Sequence, residues 1–464
     1  MDRQLPAERR ISRILRTPLA LTEPFREFAH SEATGAIILL VTAIIALVWA
    51  NSPWAYLYVE ILHTDISLSV GEHVLTLSLH HLINDGLMTL FFLVVGLEIK
   101  REVLVGELAS PRKAILPVVA ALGGMLIPAL IYTVFNFGGA GQAGWGIPMA
   151  TDIAFALGIL ALLGARVVPG LKVFLTALAI ADDLGAVLVI ALFYTPSVSF
   201  TSLEIAGLLL VAMLVANRLG VRSAALYIVL GIGVWLEMYL SGVHATVAGV
   251  LIALTIPVRA RMDPEKFLVL GYQKLQELEG AELTTESMIH DHRQMELIME
   301  LHDAARDMRP PGLVIEHALH PFNAYFVIPL FALFNAGVPL EGGGLSAILN
   351  PIGMGVLLGL VLGKQIGVTL FSWLTVRLGW ASLPEGVNWR TLYGASWLAG
   401  IGFTMSLFVT ELAFTDEHLI NEAKLGILVA SLVAGIVGYV LLRLWLHTDD
   451  KTELLGHGAA PEVV

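Results

Sequence analysis

The stretch Thr176–Val187, TALAIADDLGAV, places two adjacent aspartates inside a run that is otherwise apolar for about two helical turns on either side. Carboxylates are almost never fully buried without a partner. At membrane depth an ionisable group is costly, and by default it marks a pathway or a binding site. The rest of the sequence should therefore show whether Asp182 and Asp183 lie in a membrane and what partner tolerates them.

The composition is that of a polytopic membrane protein. Of the 464 residues, 56% are hydrophobic and 14% are charged, and the mean hydropathy is +0.78. Soluble domains average about 25% charged residues, so the surroundings of this chain are predicted to be a lipid bilayer. A net charge of −12 argues against a nucleic-acid partner, and the lack of cysteine excludes disulfides and cysteine metal sites. No cofactor is predicted.

Twelve apolar segments are candidates for membrane spans. A helix needs about 20 apolar residues to cross a bilayer, and fewer where it is broken. The sixth, seventh and eighth segments are the shortest of the set. The predicted spans are residues 32–50, 81–103, 114–136, 144–164, 170–195, 203–217, 223–240, 243–257, 314–337, 351–376, 391–413 and 419–445.

The basic residues alternate between loops as twelve spans require, because cytoplasmic loops carry the positive charge. With the N-terminus inside, the inside segments hold all but two of the 27 lysines and arginines, the exceptions being Lys364 and Lys424. The first outside loop, 51–80, has none. Both termini are therefore expected in the cytoplasm. The predicted divisions are an N-terminal segment over 1–30, a transporter domain over 31–445 with a cytoplasmic loop over 259–311, and a tail over 446–464.

The outside loop contains two short runs in which apolar and polar residues alternate, separated by a turn with glycine. This pattern predicts a short β-hairpin outside the membrane, over about residues 65–79. The alternative is a solvated loop whose alternation arose by chance. Because an isolated hairpin is marginally stable, we expect it to pair with a second copy in a homodimer. The alternating apolar residues are Ile66, Leu68, Val70, Leu75, Leu77 and Leu79.

The cytoplasmic loop 259–311 is charged and mildly amphipathic. It predicts one or two cytosolic helices. Nothing in it has the pattern of a catalytic site, so the expected role is structural or regulatory.

Four ionisable residues lie near the middle of predicted spans: Asp152, Asp182, Asp183 and Lys364. The alternative for any one buried aspartate is a structural hydrogen bond. Consecutive helix positions are about 100° apart, so the adjacent aspartates point in different directions. An ion pair of Lys364 with one of them leaves the other to hold either a proton or a small cation. Competition for that one site is sufficient for exchange.

Oxygen ligands and helix breaks are predicted near these charges. Hard cations prefer oxygen ligands, and Thr151 offers a hydroxyl beside Asp152. Glycine and proline weaken the helix in GIPMATDIAFALG (146–158), and glycines do so in GASWLAGIGFTMSLF (394–408). The ends of broken helices carry partial charges. Asp152 and Lys364 are the fixed charges expected to balance them.

Long motifs in this chain resemble the bacterial Na⁺/H⁺ antiporter family NhaA, from about Thr34 to the last span. They are MATDIAFALG, AIADDLGAVLVIALFYT, NDGLMTLFFLVVGLEIKRE, SGVHATVAGV, EHALHPFNAYFVIPLFALFNAGV, GKQIGV and GIGFTMSLF. The resemblance implies an all-α inner-membrane protein of a bacterial cell, with twelve transmembrane helices, inverted repeats of three helices, and broken, crossed fourth and eleventh helices. The association of interrupted helices with transport sites was drawn partly from this family, so it is not independent support.

The resemblance also implies functions and roles. Family members expel Na⁺ or Li⁺ in exchange for more than one proton, are silent at acid pH, and serve cytoplasmic pH and sodium homeostasis. Asp182 and Asp183 would form the ion and proton site, with Thr151 as a further ligand. Lys364 would pair with Asp182, and Asp152, itself a candidate ion ligand, would compensate the helix ends where the broken helices cross.

Further polar residues are candidates for pH sensing at the cytosolic mouth. Carboxylates and an arginine share one face at the inner end of the second span, and histidines, which titrate in the relevant range, stand at the start of the ninth. The alternatives are an ordinary interfacial charge belt and, for His244, a structural histidine. The candidates are Glu98, Arg101, Glu102, Glu316, His317, His320 and His244.

Two residues and one loop complete the comparison with the family pattern. Asp85 would be a secondary polar position in the second span. The loop 259–311 is longer than in the best-known members. Glu411 lies near the outer end of the eleventh span, where a less charged residue is expected, and it would alter the electrostatics of the outer mouth.

The predicted function is electrogenic Na⁺(Li⁺)/H⁺ antiport by alternating access, without enzymatic activity. A cation channel or symporter differs from it only in coupling. An intramembrane aspartyl protease also needs two buried aspartates, but from two helices and in YD and GxGD contexts. This sequence has neither context, and its two candidates are adjacent on one helix.

Overall fold

The computed structural model describes residues 23–70, 73–195, 198–260, 262–279, 292–340 and 348–446. Within these ranges the chain is mostly helical, with one two-stranded sheet. Nine of the described helices are long and apolar enough to cross a membrane, or eleven if each of two bent helix pairs is one span. The N-terminal segment before residue 23, the tail after 446 and the predicted outside loops near Pro196 and Glu341 lie outside the described residues.

The elements are numbered here in chain order. A 3₁₀-helix, Ala140–Met149, precedes α5. The elements are α1 Glu23–Ala50, α2 Ala55–Leu62, β1 Asp65–Val70, β2 His73–Ser78, α3 Leu79–Leu104, α4 Pro111–Asn136, α5 Ile153–Leu162, α6 Pro169–Phe193, α7 Phe200–Arg218, α8 Ala224–Ser241, α9 Ala245–Thr255, α10 Pro264–Glu279, α11 His292–Asp307, α12 Pro311–Asn335, α13 Pro351–Arg377, α14 Trp389–Ala399, α15 Phe403–Ala413 and α16 Glu417–Trp445.

The chain forms two compact units. The first comprises Met1–Val48, Ile115–Asp182 and Val338–Val464, and the second comprises Trp49–Ala114 and Asp183–Gly337. In the first unit α16 packs along α13 and α14, and α15 packs against the 3₁₀-helix. In the second unit α9 packs against α3, and α7 packs against α8.

Glycines allow close helix packing in both units, as small residues do between membrane helices. In the second unit, a Cβ added at Gly249 of α9 would lie 2.9 Å from the backbone nitrogen of Leu93 in α3. In the first unit, a Cβ added at Gly367 of α13 would collide with the backbone of Gly123 in α4. The helices of each unit therefore meet backbone to backbone at these points.

The two strands pair antiparallel, from Asp65 opposite Ser78 to Val70 opposite His73. The predicted second run extended to Leu79, but the strand ends at Ser78. The Ser78 hydroxyl accepts the backbone N–H of His81 at 3.3 Å and so starts a helical turn. Residues 71–72, which separate the two strands in the sequence, lie outside the described residues.

The described part of the loop 259–311 contains two helices, α10 and α11, which pack against each other. Lys274 on α10 lies 2.7 Å from Glu300 on α11, and Arg293 on α11 lies 3.2 Å from Glu277 on α10. Leu278, Leu297 and Ala304 are buried. Two ion pairs and a small apolar contact thus join the helices.

Candidate functional site

Two helices of the first unit are interrupted within their apolar length. The 3₁₀-helix Ala140–Met149 and α5 meet at an angle of 41°, and α14 and α15 meet at 44°. The sequence predicts weakening at Gly146 and Pro148. The structure continues the tighter 3₁₀-helix past Pro148 and places the break after Met149. The second break falls after Ala399, within the predicted glycine-containing stretch 394–408.

The two breaks contact each other through polar groups. The Thr151 hydroxyl donates to the carbonyl of Ala399 at 2.7 Å, and the Asp152 N–H donates to the carbonyl of Ile401 at 2.6 Å. The Ser406 hydroxyl donates to the carbonyl of Ile147 at 2.8 Å. Buried backbone groups that lose their helical partners need others. Here each break supplies partners to the other.

Asp152 carries its charge between the starts of two half-helices. Its side chain is 1% exposed and caps α5 by accepting the Phe155 N–H at 3.0 Å. It also accepts the backbone N–H of Thr404 at 3.0 Å and its hydroxyl at 2.5 Å, in the first turn of α15. Helix N-termini carry positive partial charge. One carboxylate therefore faces the positive ends of both α5 and α15.

Lys364 and Asp182 form a fully buried ion pair. The Lys364 Nζ donates to Asp182 Oδ2 at 2.6 Å, and both side chains are 0% exposed. Gly124 of α4 lies next to this part of α13, where an added Cβ would lie 2.9 Å from Val368 Cγ2 and in ordinary contact with Lys364 at 3.6 Å. The sequence predicts this lysine as a partner for one of the two aspartates. It does not indicate that Gly124 of α4 packs against this part of α13.

Asp183 follows on the same helix and is 1% exposed. Thr151 lies near the carboxyl group of Asp182. The structure thus brings together Thr151, Asp182 and Lys364, with Asp152 next to Thr151 in the chain. Buried carboxylates and neighbouring oxygen atoms are groups that can bind a proton or a small hard cation.

The acidic and basic residues predicted at the cytosolic mouth also meet, in the second unit. Arg101 Nη2 lies 3.4 Å from Glu102 and 3.8 Å from Glu98, and Arg101 Nη1 donates to Glu316 on α12. His317 and His320 lie within electrostatic reach of Arg101 or Glu316. The cluster comprises Glu98, Arg101, Glu102, Glu316, His317 and His320.

His244 and Asp85 lie in other surroundings within the second unit. The His244 Nε2 lies 2.7 Å from the carbonyl oxygen of Tyr194. This contact is of the kind expected if His244 is a structural histidine. Asp85 lies in a π-helical turn, Leu82–Leu87, within α3. Its carboxyl is within electrostatic reach of His244.

A model of the protein family described as Na⁺/H⁺ antiporter 1 matches residues 26–442. The chain belongs to this family. The resemblance to NhaA that the sequence motifs indicate is thereby confirmed. Antiporters are transporters and not enzymes, so the expectation of a non-enzymatic protein agrees with the membership. The apolar helices agree with a multi-pass membrane protein.

Curated relatives cover nearly the whole chain, and three illustrate the match. The "Na(+)/H(+) antiporter NhaA" of Oleidesulfovibrio alaskensis is 48% identical over 427 residues, which are 92% of this chain and 95% of that protein. The protein of the same name from Acidithiobacillus ferrooxidans is 49% identical over 442 residues, 93% of this chain and 98% of that protein. That from Sulfurimonas denitrificans is 46% identical over 425 residues, 91% and 96% respectively.

The sequence patterns predict no role for Thr404 or Ser406, although both lie in the motif GIGFTMSLF. Neutral hydroxyls in an apolar helix leave no charge or hydropathy signal. Their position just after the glycines of a predicted break is the signal that would have found them. Glu411 and Lys424, which the sequence left unexplained, contact each other at 2.7 Å.

Proposed function

We propose that this chain is an Na⁺/H⁺ antiporter whose exchange site is centred on Asp182 and Asp183. The observation that carries the proposal is the buried ion pair of Lys364 with Asp182, one residue from the buried carboxylate of Asp183. An isolated charge at this depth is costly. The ammonium of Lys364 stabilises Asp182 as a carboxylate. Asp183 is then the group that alternates between holding a proton and holding Na⁺.

Exchange follows from competition for Asp183. Na⁺ binds the ionised carboxylate with oxygen ligands that include Thr151, and a proton displaces it. Alternating access exposes the site to one side of the membrane at a time, so Na⁺ leaves and protons bind on one side, and the protons leave and Na⁺ binds on the other. Asp152 is a further candidate ion ligand, and it balances the half-helix ends. The relatives' printed names, which specify Na(+)/H(+) antiport, support this assignment.

The proposed coupling is electrogenic, with more than one proton moved per Na⁺. The site contains more than one titratable group, because the ion pair Asp182–Lys364 adjoins Asp183. Li⁺ is the other proposed substrate, since it is likewise a hard monovalent cation that prefers oxygen ligands. The proposed physiological role is cytoplasmic pH and sodium homeostasis.

The proposed topology has twelve spans. The nine long apolar helices, the two bent pairs and the short apolar helix Ala245–Thr255 give that number over the described residues. The bent pairs are the fourth and eleventh spans, which we propose to be broken helices that cross. The inverted repeats of three helices implied by the family belong to the same proposal. Both termini lie in the cytoplasm of a bacterium, and the protein lies in the inner membrane.

Two further assignments belong to the same proposal. The hairpin formed by β1 and β2 lies outside the membrane and pairs with a second copy in a homodimer. The cluster around Arg101 senses cytosolic pH, because it combines carboxylates with histidine, the side-chain type that serves most often as a pH switch. His244 is a weaker candidate for this role, given its contact with Tyr194.

Exchange by reconstituted vesicles tests the site. In proteoliposomes, Na⁺ added outside should make the interior of wild-type vesicles more alkaline, because protons leave as Na⁺ enters. Asp183→Asn should abolish this response, since an amide neither ionises nor binds a proton. The matched control is Glu422→Gln, which neutralises a buried carboxylate of α16 outside the site and should leave exchange unchanged.

The direction of the pH change separates the alternatives. Acidification of the interior would indicate symport. Sodium entry with no proton movement would indicate a channel. Near-normal exchange by a well-folded Asp183→Asn protein would contradict the assignment of Asp183.

A further inference from the structure

A second lysine–carboxylate pair lies in the same unit as Lys364 and Asp182. Lys424 Nζ on α16 lies 2.7 Å from Glu411 Oε1 on α15, and each side chain is 10% exposed. Both residues belong to helices that are candidates for membrane spans. Glu411 is one of the departures from the family pattern, and Lys424 is one of two basic residues that fall outside the predicted cytoplasmic segments. The contact accounts for both.

A gain in the folding stability of the protein does not explain why this ion pair is present. Glu411 lies in the last turn of α15, where the negative helix end disfavours a carboxylate. An ion pair removed from water often stabilises a protein no better than apolar side chains of similar volume. What an ion pair supplies and an apolar contact does not is a directed contact between two particular points on two helices.

The pair completes a set of contacts that hold α15 along its length. At the start of α15 the Phe403 N–H donates to Ser431 Oγ on α16 at 3.1 Å. Near its end Glu411 contacts Lys424 on the same helix. Between these anchors, Thr404 donates its N–H and hydroxyl to Asp152. The position of α15 on α16 therefore determines whether Thr404 reaches Asp152.

We propose that Glu411 and Lys424 are positioning residues of the transport cycle. They fix α15 on α16, so that the two helices move as one piece and Thr404 remains on Asp152, beside the candidate ligand Thr151. Neither residue touches the transported ion. The inference rests on the proposed Na⁺/H⁺ exchange and adds to it a second ion pair at the far end of the broken helix.

Four variants, assayed in proteoliposomes and by thermal unfolding in detergent, test the proposal. Lys424→Met and Glu411→Gln should each lower the maximal exchange rate about tenfold, because small displacements of a positioned group are costly for turnover. The double variant Glu411→Leu/Lys424→Met should unfold at the wild-type temperature or above it, yet exchange as slowly as the single variants. The charge-reversed pair Glu411→Lys/Lys424→Glu should recover most of the exchange rate.

A coupling measurement and a matched control complete the experiment. Thr404→Val should slow exchange, and adding Glu411→Gln to it should slow exchange little further, because both changes act on one contact. Glu422→Gln, whose parent carboxylate is equally buried on α16 but contacts Asn350 and His418, should exchange like wild type. Wild-type rates from the apolar double variant, or a charge-reversed pair as slow as the single variants, would overturn the positioning role. If wild-type vesicles themselves fail to exchange, the proposed function fails instead.

Discussion

Lys364 has its entire side chain out of solvent and its charge against one oxygen of Asp182. Nothing in local helix propensity requires a lysine in the middle of an apolar span. At this buried position each of the two charges stabilises the other. A buried carboxylate without the ammonium, or the ammonium without the carboxylate, is much less stable than the pair.

Replacing one partner of this pair should therefore be more harmful than replacing both. Lys364→Ala should lower the free energy of unfolding by about 3–5 kcal/mol, because it leaves the Asp182 charge buried and uncompensated. It should also shift the pH profile of exchange. Thermal unfolding in detergent measures the first effect and vesicle assays the second.

The control for this prediction is the double variant Lys364→Met/Asp182→Asn, which removes both charges while keeping side-chain volume. It should be more stable than Lys364→Ala, although inactive. A Lys364→Ala protein with wild-type stability would show that the ion pair is not energetically coupled to the fold.

At the scale of helices, glycines bring α4 and α13 together where the lysine lies. A Cβ at Gly367 would collide with the backbone of Gly123, and a backbone cannot move aside as a flexible side chain can. The ion pair and this close approach lie within one turn of α13, since Lys364 and Gly367 are three residues apart. Packing and charge placement are therefore set by the same short segment.

Gly367→Ala should be destabilising even though alanine favours helix. Overpacking of this kind lowers the free energy of unfolding by about 1–3 kcal/mol, which thermal unfolding of the purified protein would detect. Gly207→Ala in α7 is the matched control, because a Cβ there has no neighbour within 4 Å. It should be neutral or slightly stabilising. Equal effects of the two substitutions would contradict the role of close helix approach.

The helix pair α10–α11 of the loop 259–311 should respond to pH through Lys274 and Glu300. The hydrogen bond to Lys274 lowers the pKa of Glu300 from its usual 4.5, and the same contact raises the pKa of Lys274 from 10.5. The contact thus contributes fully between these two values. Its contribution is lost as pH falls through the lowered pKa of Glu300, and also as pH rises through the raised pKa of Lys274.

Hydrogen exchange of the full-length protein checks this window. Protection of the α10 and α11 amides should be constant at neutral pH and should fall in acid. Glu300→Gln should lower protection at neutral pH and remove the part of the acid dependence that comes from this pair. Glu265→Gln, at an exposed position of α10, should change neither. Acid dependence that persists unchanged in Glu300→Gln would exclude this pair as its source.

The sequence was most informative where charge interrupts hydrophobicity. The partner of Asp182 could be predicted because Lys364 is the basic residue in the middle of a predicted span. The helix pair in the loop 259–311 followed from its amphipathic pattern. Thr404 could not be predicted as a partner of Asp152, because it comes near through a tertiary contact between residues 252 positions apart. The end of β2 at Ser78 could not be predicted from the alternation of apolar and polar residues, because a capping hydrogen bond from the His81 N–H ends the strand there.

Over the whole chain, the distribution of lysine and arginine predicts which loops face the cytoplasm. Positive loops stay on the cytoplasmic side, and the loop 51–80 is free of lysine and arginine. Because the chain contains no cysteine, an introduced cysteine is the only thiol that a maleimide can label.

A pair of single-cysteine variants should therefore report the orientation. His63→Cys, in the predicted outside loop, should react with a membrane-impermeant maleimide in intact cells. Lys266→Cys, in the predicted cytoplasmic loop, should react only after permeabilisation. Both positions are exposed, so accessibility does not limit either reaction. The reverse pattern would invert the proposed topology.

Polar groups of the two helix breaks hydrogen-bond to each other, so these bonds form only after both breaks have been synthesised. Thr151 finds its acceptor, the carbonyl of Ala399, 248 residues further along the chain. At about 5–20 residues per second, the ribosome needs roughly 10–50 seconds to make that acceptor. Until then the first interrupted helix exposes polar backbone that hydrocarbon does not solvate. The first half of this protein therefore cannot complete its fold as it is made, and a nascent chain stopped before Ala399 should depend on water or the insertion machinery to shelter the break.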